Sequence, residues 1–90
     1  SYDTTQQDVD ALADGLRALG LRVIEGRANY LLFRAPEALG EALRRKGAVL
    51  RSCGNYPGLD ASWYRTAVRT ENENRQLLAL LAETLPEVAQ

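Results

Sequence analysis

The first third of the chain changes from a helical to an extended pattern of apolar residues. A helix is predicted from Thr5 to Leu19, because its apolar residues recur at spacings of three and four and form one stripe: Val9, Leu12, Leu16 and Leu19. Thr4 or Thr5 can cap its start, and Gly20 stands where a left-handed residue commonly ends a helix. The run Leu21–Glu25, with its Val and Ile, then predicts a short strand.

The next apolar run, Tyr30–Arg34, predicts a second strand with an unusual property. Leu31 and Phe33 would lie on one face and Tyr30 and Leu32 on the other, so neither face is polar. A strand of a sheet with one wet face should alternate between apolar and polar residues. We therefore expect something to cover the second face, from a part of the protein outside this chain.

The rest of the chain predicts a helix, two strands and a last helix. The helix spans Pro36–Lys46, and the strands span Ala48–Ser52 and Trp63–Arg69. The last helix starts with the capping box Thr70-x-x-Glu73 and has an apolar stripe, and Pro86 is expected to follow its end; the stripe is Leu77, Leu78, Leu81 and Leu85. The order α-β-β-α-β-β-α predicts an α+β fold of two layers, in which helices cover a small, mostly antiparallel sheet. Residues 1–90 are expected to form a single domain.

Composition excludes several classes of function. The net charge of −1 and the pI of about 5.4 do not suit a protein that binds nucleic acid or an anionic membrane. The chain has no histidine, which excludes His-based metal sites and nucleophile pairs within it, and its one cysteine excludes an internal disulfide. A single cysteine suits a reducing cytoplasm, and no apolar run predicts a membrane span or a signal peptide. The start at Ser1, without a methionine, suggests a piece of a longer protein.

The candidate chemistry lies in the segment Ala48–Arg69. It places Arg51 and Arg65 on two apolar strands joined by a turn-rich loop. Arginine is a permanently charged fork that binds carboxylates and phosphates through two parallel hydrogen bonds, so two of them on neighbouring strands would form an anion site. From the residues alone, two solvated arginines at strand ends are the commoner arrangement. Arg69 shares the face of Arg65, but it can pair with the glutamates of the next helix.

No residue is predicted to act as a catalyst, a metal ligand or a cofactor ligand. Cys53 lacks a partner base and is expected to be a half-buried packing residue, and the loop residues Asn55 and Tyr56 are expected to serve the turn and local packing. Lys46, the only lysine, ends a basic helix turn, which is a poor place for a nucleophilic amine. Phosphate-binding glycine loops are absent from the sequence.

Three segments carry a resemblance to a known family. ANYLLFR (28–34), GAVLRSC (47–53) and YRTAVRTENENRQLLALL (64–81) resemble the C-terminal small domain of fold-type-I pyridoxal phosphate enzymes, the class I/II aminotransferases. Within that family the resemblance is greatest to the threonine-phosphate decarboxylase and histidinol-phosphate aminotransferase branches. The stretch LRSCGNYPGLDASWYRTAVRT is more similar to the decarboxylases.

The resemblance implies roles for both arginines. Arg65 matches the arginine that binds the α-carboxylate of the substrate, and Arg51 matches one that holds the other anionic end in members with phosphate substrates. Matched in context, the two arginines are more readily explained as substrate-binding than as solvated. Asn29 matches a recurrent polar position, for which no ligand contact is claimed.

The resemblance also implies what the chain lacks. In the family, the Schiff-base lysine and the other residues that hold pyridoxal 5'-phosphate belong to a large domain of the same polypeptide, and the whole enzyme is a homodimer. We therefore expect this chain to bind an anionic small molecule, to contact that large domain, and to bind no cofactor and catalyse nothing alone.

Two hypotheses of different classes remain open from the sequence. The first is the substrate-binding part of a larger enzyme, either a decarboxylase or an aminotransferase. The second is a free-standing α+β module that binds an anion or a protein. The doubly apolar strand Tyr30–Arg34 favours the first hypothesis.

Overall fold

The computed structural model describes residues 5–26, 30–53 and 57–88. Helices and strands follow one another in the predicted order, with these bounds: α1 Gln6–Ala18, β1 Arg22–Glu25, β2 Tyr30–Arg34, α2 Leu39–Arg45, β3 Arg51–Ser52, β4 Trp63–Ala67 and α3 Glu71–Val88. The described strands form one antiparallel sheet in the order β1-β2-β4-β3. The prediction of an α+β fold with a small antiparallel sheet is confirmed.

The core lies between one face of the sheet and the helices. Leu31, Phe33 and Tyr64 on that face are buried against residues of all three described helices: Leu12, Ala13 and Leu16 of α1, Leu39 and Leu43 of α2, and Leu81 of α3. The rings of Phe33 and Tyr64 stack with centroids 5.8 Å apart. Because these residues alternate along β2 and β4, the residues between them point to the opposite face of the sheet, and no described helix packs there.

Local signals place the starts of α1 and α3 correctly. The hydroxyl of Thr5 accepts a hydrogen bond from the Asp8 N–H, and the Asp8 carboxylate accepts one from the Thr5 N–H, which completes a capping box. At α3 the Thr70 hydroxyl accepts from the Glu73 N–H at 3.2 Å. Gly20, just after α1, has the positive φ of 87° expected of a residue that ends a helix.

Helix α2 is shorter than predicted, since residues 36–38 form a turn before it. The turn is closed by the Leu39 N–H, which donates to the Pro36 carbonyl. The N-cap residue, Ala38, forms no side-chain hydrogen bond that would cap the helix. Instead the Tyr64 hydroxyl, from β4, accepts from the Gly40 N–H at 3.1 Å and donates to the Glu37 carbonyl at 2.9 Å. A contact between distant residues therefore replaces the local cap.

Both strands of the arginine segment are shorter than predicted. The Ala48 N–H donates to the Leu43 carbonyl at the end of α2, so residues 48–50 follow the helix end and only Arg51–Ser52 pair with β4. Strand β4 ends at Ala67 because the Asn74 side chain takes the place of a strand neighbour. Its Oδ1 accepts from the Arg69 N–H at 2.9 Å, and its Nδ2 donates to the Arg69 carbonyl at 3.0 Å.

The predicted end of the last helix before Pro86 was wrong, because α3 continues through Pro86 to Val88. A proline removes one hydrogen-bond donor from the helix backbone. Only two residues of α3 follow Pro86, so few helical hydrogen bonds depend on its missing donor. Glu83 and Glu87, which lie on either side of Pro86, both form ion pairs with Lys46 after the end of α2.

Candidate functional site

The sheet face without a helix, here called the outer face, carries both candidate arginines. In an antiparallel sheet, residues that are partners in register point to the same face. The outer face therefore consists of three rows: Arg22, Arg34 and Trp63; Ile24, Leu32, Arg65 and Arg51; and Tyr30 and Ala67. As predicted, β2 carries apolar residues on both faces. On the outer face, Tyr30 and Leu32 are partly buried, and the neighbouring Ile24 of β1 is 45% exposed.

Arg51 and Arg65 are direct partners in register on β3 and β4. Such partners have Cα atoms about 4.5–5.5 Å apart, so their side chains rise side by side from the sheet. Arg51 is exposed and Arg65 is partly buried. The guanidinium carbon of Arg65 lies 5.5 Å from the centroid of the Tyr30 ring. The structure thus brings together the two arginines that the sequence singled out.

A second pair of arginines on the outer face was missed by the sequence analysis. Arg22 and Arg34 are partners in register one row away from Arg65. Alternation within each strand places Arg22 beside Ile24 and Arg34 beside Leu32, but only the pairing of β1 with β2 brings the two together. Four arginines and no acidic residue occupy the described strand positions of this face, so its charge suits an anionic partner.

An acidic residue, Asp60, lies near Arg34, which belongs to the second arginine pair of the outer face. The Ser62 hydroxyl and N–H both donate to Asp60 Oδ1, and Arg34 Nε donates to the Ser62 hydroxyl at 3.1 Å. These hydrogen bonds from Ser62, aided by the nearby positive charge of Arg34, hold the pKa of the Asp60 carboxyl below its usual value. One of the hydrogen-bond donors of Arg34 is therefore already used within this chain, by Ser62.

Cys53 is fully buried rather than half-buried as predicted. Its N–H donates to the Trp63 carbonyl at 2.7 Å, which continues the pairing of β3 with β4 by one residue. Burial raises the pKa of the thiol, and the nearby charge of Arg65 lowers it only in part. A thiol with a raised pKa forms little thiolate near neutral pH, which agrees with a packing residue and not with a nucleophile.

The remaining candidates do not join the arginine pair. Arg69 is exposed, and its guanidinium forms no ion pair with the glutamates of α3 in the described part of the chain; Glu71 pairs instead with Arg75 at 3.4 Å. The backbone N–H of Arg69 donates to the Asn74 side chain, beyond the end of β4. Asn29, Asn55 and Tyr56 lie outside the described residues.

Lys46 lies in a different part of the molecule and is already paired. Its Nζ contacts Glu87 at 2.8 Å and Glu83 at 3.0 Å, where the end of α2 meets α3. The hydrogen bonds that the Lys46 ammonium donates to Glu87, and secondly to Glu83, raise the pKa of Lys46. The amine is therefore held as an ammonium, which is the opposite of what a nucleophile needs.

The described residues contain neither a metal-binding cluster nor a membrane-spanning helix. No group of three or more Cys, Asp or Glu side chains within residues 5–26, 30–53 and 57–88 could hold a metal ion. In the same residues, no helix has the length and apolar character required to cross a membrane.

Comparison with known proteins agrees with the resemblance found in the sequence. Residues 1–81 match the family described as "Aminotransferase class I and II". The chain is 44% identical over 72 residues to a threonine-phosphate decarboxylase of Salmonella typhimurium, covering 77% of this chain and 20% of that protein. It is 41% identical over 69 residues to a histidinol-phosphate aminotransferase of Methanothermobacter thermautotrophicus, covering 70% of this chain and 18% of that protein.

A solved structure supports the same assignment. The fold superposes with a TM-score of 0.81 on the histidinol-phosphate aminotransferase from Clostridium acetobutylicum, at 28% identity, covering 91% of this chain and 26% of that one. The chain thus spans about a fifth to a quarter of the length of these relatives. With the family match over residues 1–81, the chain belongs to the class I and II aminotransferase family, whose members are pyridoxal phosphate-dependent enzymes.

Proposed function

We propose that this chain is the substrate-binding small domain, at the C-terminal end, of a pyridoxal phosphate enzyme that acts on a phosphorylated amino acid or amine. The observation that carries the proposal is the pairing of Arg51 and Arg65 in register on the outer face. Two like charges at partner positions destabilise a sheet by themselves. An anion bound between them offsets that repulsion, so the arrangement is suited to a ligand with negative charge.

Each arginine is assigned one end of the substrate. Arg65 binds the α-carboxylate, and Arg51 binds the phosphate. A charge-assisted hydrogen bond contributes about 1.5–3 kcal/mol, so two bidentate contacts supply both affinity and a fixed orientation. Fixing both ends of the substrate limits its rotation and presents one bond to the reacting group.

The described residues do not fit the cofactor. Lys46 is the only lysine of the sequence, and its ammonium is bound by Glu83 and Glu87 between α2 and α3. The arginine pair lies on the outer face, which these helices do not cover. We propose that another part of the same polypeptide holds pyridoxal phosphate and supplies its electron sink. That part, the large domain, would also cover the apolar residues Ile24 and Leu32 of the outer face.

Threonine-phosphate decarboxylation, a step of cobalamin biosynthesis, is the preferred reaction. It is supported by the 44% identity to the Salmonella typhimurium decarboxylase and by the segment from Leu50 to Thr70. Histidinol-phosphate transamination is the second candidate, favoured by the Methanothermobacter relative and by the structural match to the Clostridium enzyme. We also propose that the whole enzyme is a homodimer, which its molar mass in sedimentation equilibrium would test.

The test is an activity assay of the full-length enzyme that contains this chain. Purified enzyme with pyridoxal phosphate is offered threonine phosphate and histidinol phosphate in parallel. Release of CO₂ from threonine phosphate supports the decarboxylase. Amino transfer from histidinol phosphate without CO₂ release assigns the enzyme to the aminotransferase branch. Absence of both reactions, with the cofactor bound, would contradict a phosphorylated amino acid or amine as the substrate.

A further inference from the structure

Tyr30 contacts the arginine to which the carboxylate is assigned. The guanidinium carbon of Arg65 lies 5.5 Å from the centroid of the Tyr30 ring, within the distance of about 6 Å at which a cation is attracted to an aromatic face. In register, Arg65 of β4 lies opposite Leu32 of β2, and Tyr30 is two residues before Leu32. Tyr30 and Arg65 are thus diagonal neighbours on the outer face, a separation that aromatic and long side chains can span.

The Tyr30 ring is itself confined by the backbone of Gly26. A Cβ atom placed on Gly26 would lie 2.8 Å from Cε2 and 3.0 Å from Cδ2 of Tyr30, which is closer than packed carbon atoms approach. The Gly26 N–H also donates to the Tyr30 carbonyl at 3.2 Å. Gly26 is not among the described glycines with positive φ, so its backbone conformation does not require glycine. The absence of a side chain at this position is explained by the ring together with the Tyr30 carbonyl oxygen, which would lie 3.1 Å from the same Cβ.

We propose that Tyr30 is a positioning residue for Arg65 and that Gly26 keeps the Tyr30 ring in place. This inference rests on the proposed role of Arg65 in binding the substrate carboxylate. An arginine side chain has many rotamers, and holding it before the substrate arrives reduces the entropy lost on binding. The ring holds the guanidinium through its aromatic face, so the phenol hydroxyl is not required.

The tyrosine was not identified from the sequence as part of the site. Alternation along β2 assigns Tyr30 only to the second face of that strand. Its nearness to Arg65 depends on the pairing of β2 with β4, whose partners are 29 to 37 residues apart in the sequence. No local pattern contains that information.

The experiment compares variants of the full-length enzyme with pyridoxal phosphate bound. It measures kcat/KM for a reactant that carries a carboxylate, which is threonine phosphate for a decarboxylase and the 2-oxo acid that accepts the amino group for an aminotransferase. The variants are Tyr30→Phe, Tyr30→Leu, Gly26→Ala, Arg65→Lys and the double variant Tyr30→Leu with Arg65→Lys. Trp63→Leu is a matched control, since Trp63 is an aromatic residue of the outer face that lies in the row of Arg34. Thermal unfolding verifies that each variant folds, and Tyr30→Met replaces Tyr30→Leu if the leucine variant does not.

The expected result is a loss of kcat/KM of about tenfold for Tyr30→Leu and for Gly26→Ala, with Tyr30→Phe within about twofold of the wild type. In the Arg65→Lys background, Tyr30→Leu should change kcat/KM by less than about twofold, because residues that act through each other are not additive. A merely structural role for Tyr30 would lower kcat/KM equally in both backgrounds. Trp63→Leu should lower it less than Tyr30→Leu does.

Three results would overturn the inference. Wild-type kcat/KM in Tyr30→Leu would show that Arg65 needs no support, and equal losses in Tyr30→Phe and Tyr30→Leu would assign the effect to the hydroxyl. Equal losses from Tyr30→Leu in the wild-type and Arg65→Lys backgrounds would leave only a structural role. If Arg65→Lys itself keeps wild-type kcat/KM, the proposed function of Arg65 fails first, so the two failures are distinguishable.

Discussion

At the scale of single residues, the outer face carries two pairs of like charges, an arrangement that is expected to lower the stability of a sheet. Arg51 and Arg65 are partners in register, and so are Arg22 and Arg34. Like charges at directly opposed positions repel each other. The proposed anion site, formed by Arg51 and Arg65, is therefore expected to place two charges where they oppose folding in the absence of ligand.

This conflict predicts the effect of Arg51→Gln on the isolated chain. At low salt the substitution should raise the free energy of unfolding by about 0.2–1 kcal/mol, because the repulsion from Arg65 is removed. Urea unfolding of both chains measures it. The gain should shrink in high salt, which screens exposed charges. A loss of stability at both salt concentrations would contradict the repulsion.

The roles of Arg65 and Arg69 are predicted to differ in the full-length enzyme. Arg65→Lys should lower kcat/KM by about tenfold or more, because an ammonium cannot reproduce two parallel hydrogen bonds to a carboxylate. Arg69→Lys is the matched control. Arg69 lies beyond the end of β4, and Asn74 forms hydrogen bonds only with the backbone of Arg69. Steady-state kinetics of both variants measures the difference, and equal effects would count against the role assigned to Arg65.

At the scale of elements, side chains from distant positions decide where helices and strands end. Tyr64 of β4 supplies the hydrogen bonds at the start of α2 that no residue of the helix supplies. Asn74 of α3 binds both backbone groups of Arg69, where β4 was predicted to continue. Sequence patterns located the elements correctly but placed these two ends several residues too far outward.

The role of Asn74 predicts a measurable loss of stability. Asn74→Ala should lower the free energy of unfolding by about 1–3 kcal/mol, because the partly buried backbone groups of Arg69 lose both hydrogen-bond partners. Asn72→Ala, at an exposed position of the same helix, controls for the change in helix propensity. Thermal or urea unfolding of the isolated chain compares them. Equal effects of the two substitutions would show that the contact contributes nothing beyond propensity.

At the scale of the whole molecule, one face of the sheet is packed and the other carries the site. The helices α2 and α3 contribute to the core on the packed face. Lys46, after the end of α2, links the two helices through ion pairs with Glu83 and Glu87 of α3. The outer face keeps partly covered apolar residues beside its arginines. The same two-layer architecture thus provides a buried core on one side and the proposed binding surface on the other.

The Lys46 pairs predict how stability depends on pH. The pKa of Lys46 is raised in the folded chain, so its contribution is complete below the ordinary value of 10.5 and is lost as the pH rises through the folded value. Lys46→Met should therefore lower the melting temperature at neutral pH, and the difference from wild type should vanish at strongly alkaline pH. Arg45→Met, which removes only an exposed pair with Glu41, is the control. A difference that stays constant across this range would contradict the ion pairs as its cause.

The sequence by itself determined the class of the fold, the order of its elements and the two arginines of the site. These depend on local causes, namely the spacing of apolar residues, helix caps and glycines, and the chemistry of a side chain. Only the tertiary structure decided which strands pair, and with them the register that places Arg51 opposite Arg65 and Tyr30 diagonal to it. The same holds for the ends of α2 and β4. Register and element ends depend on contacts between residues far apart in the chain, and no local pattern records which of those contacts form.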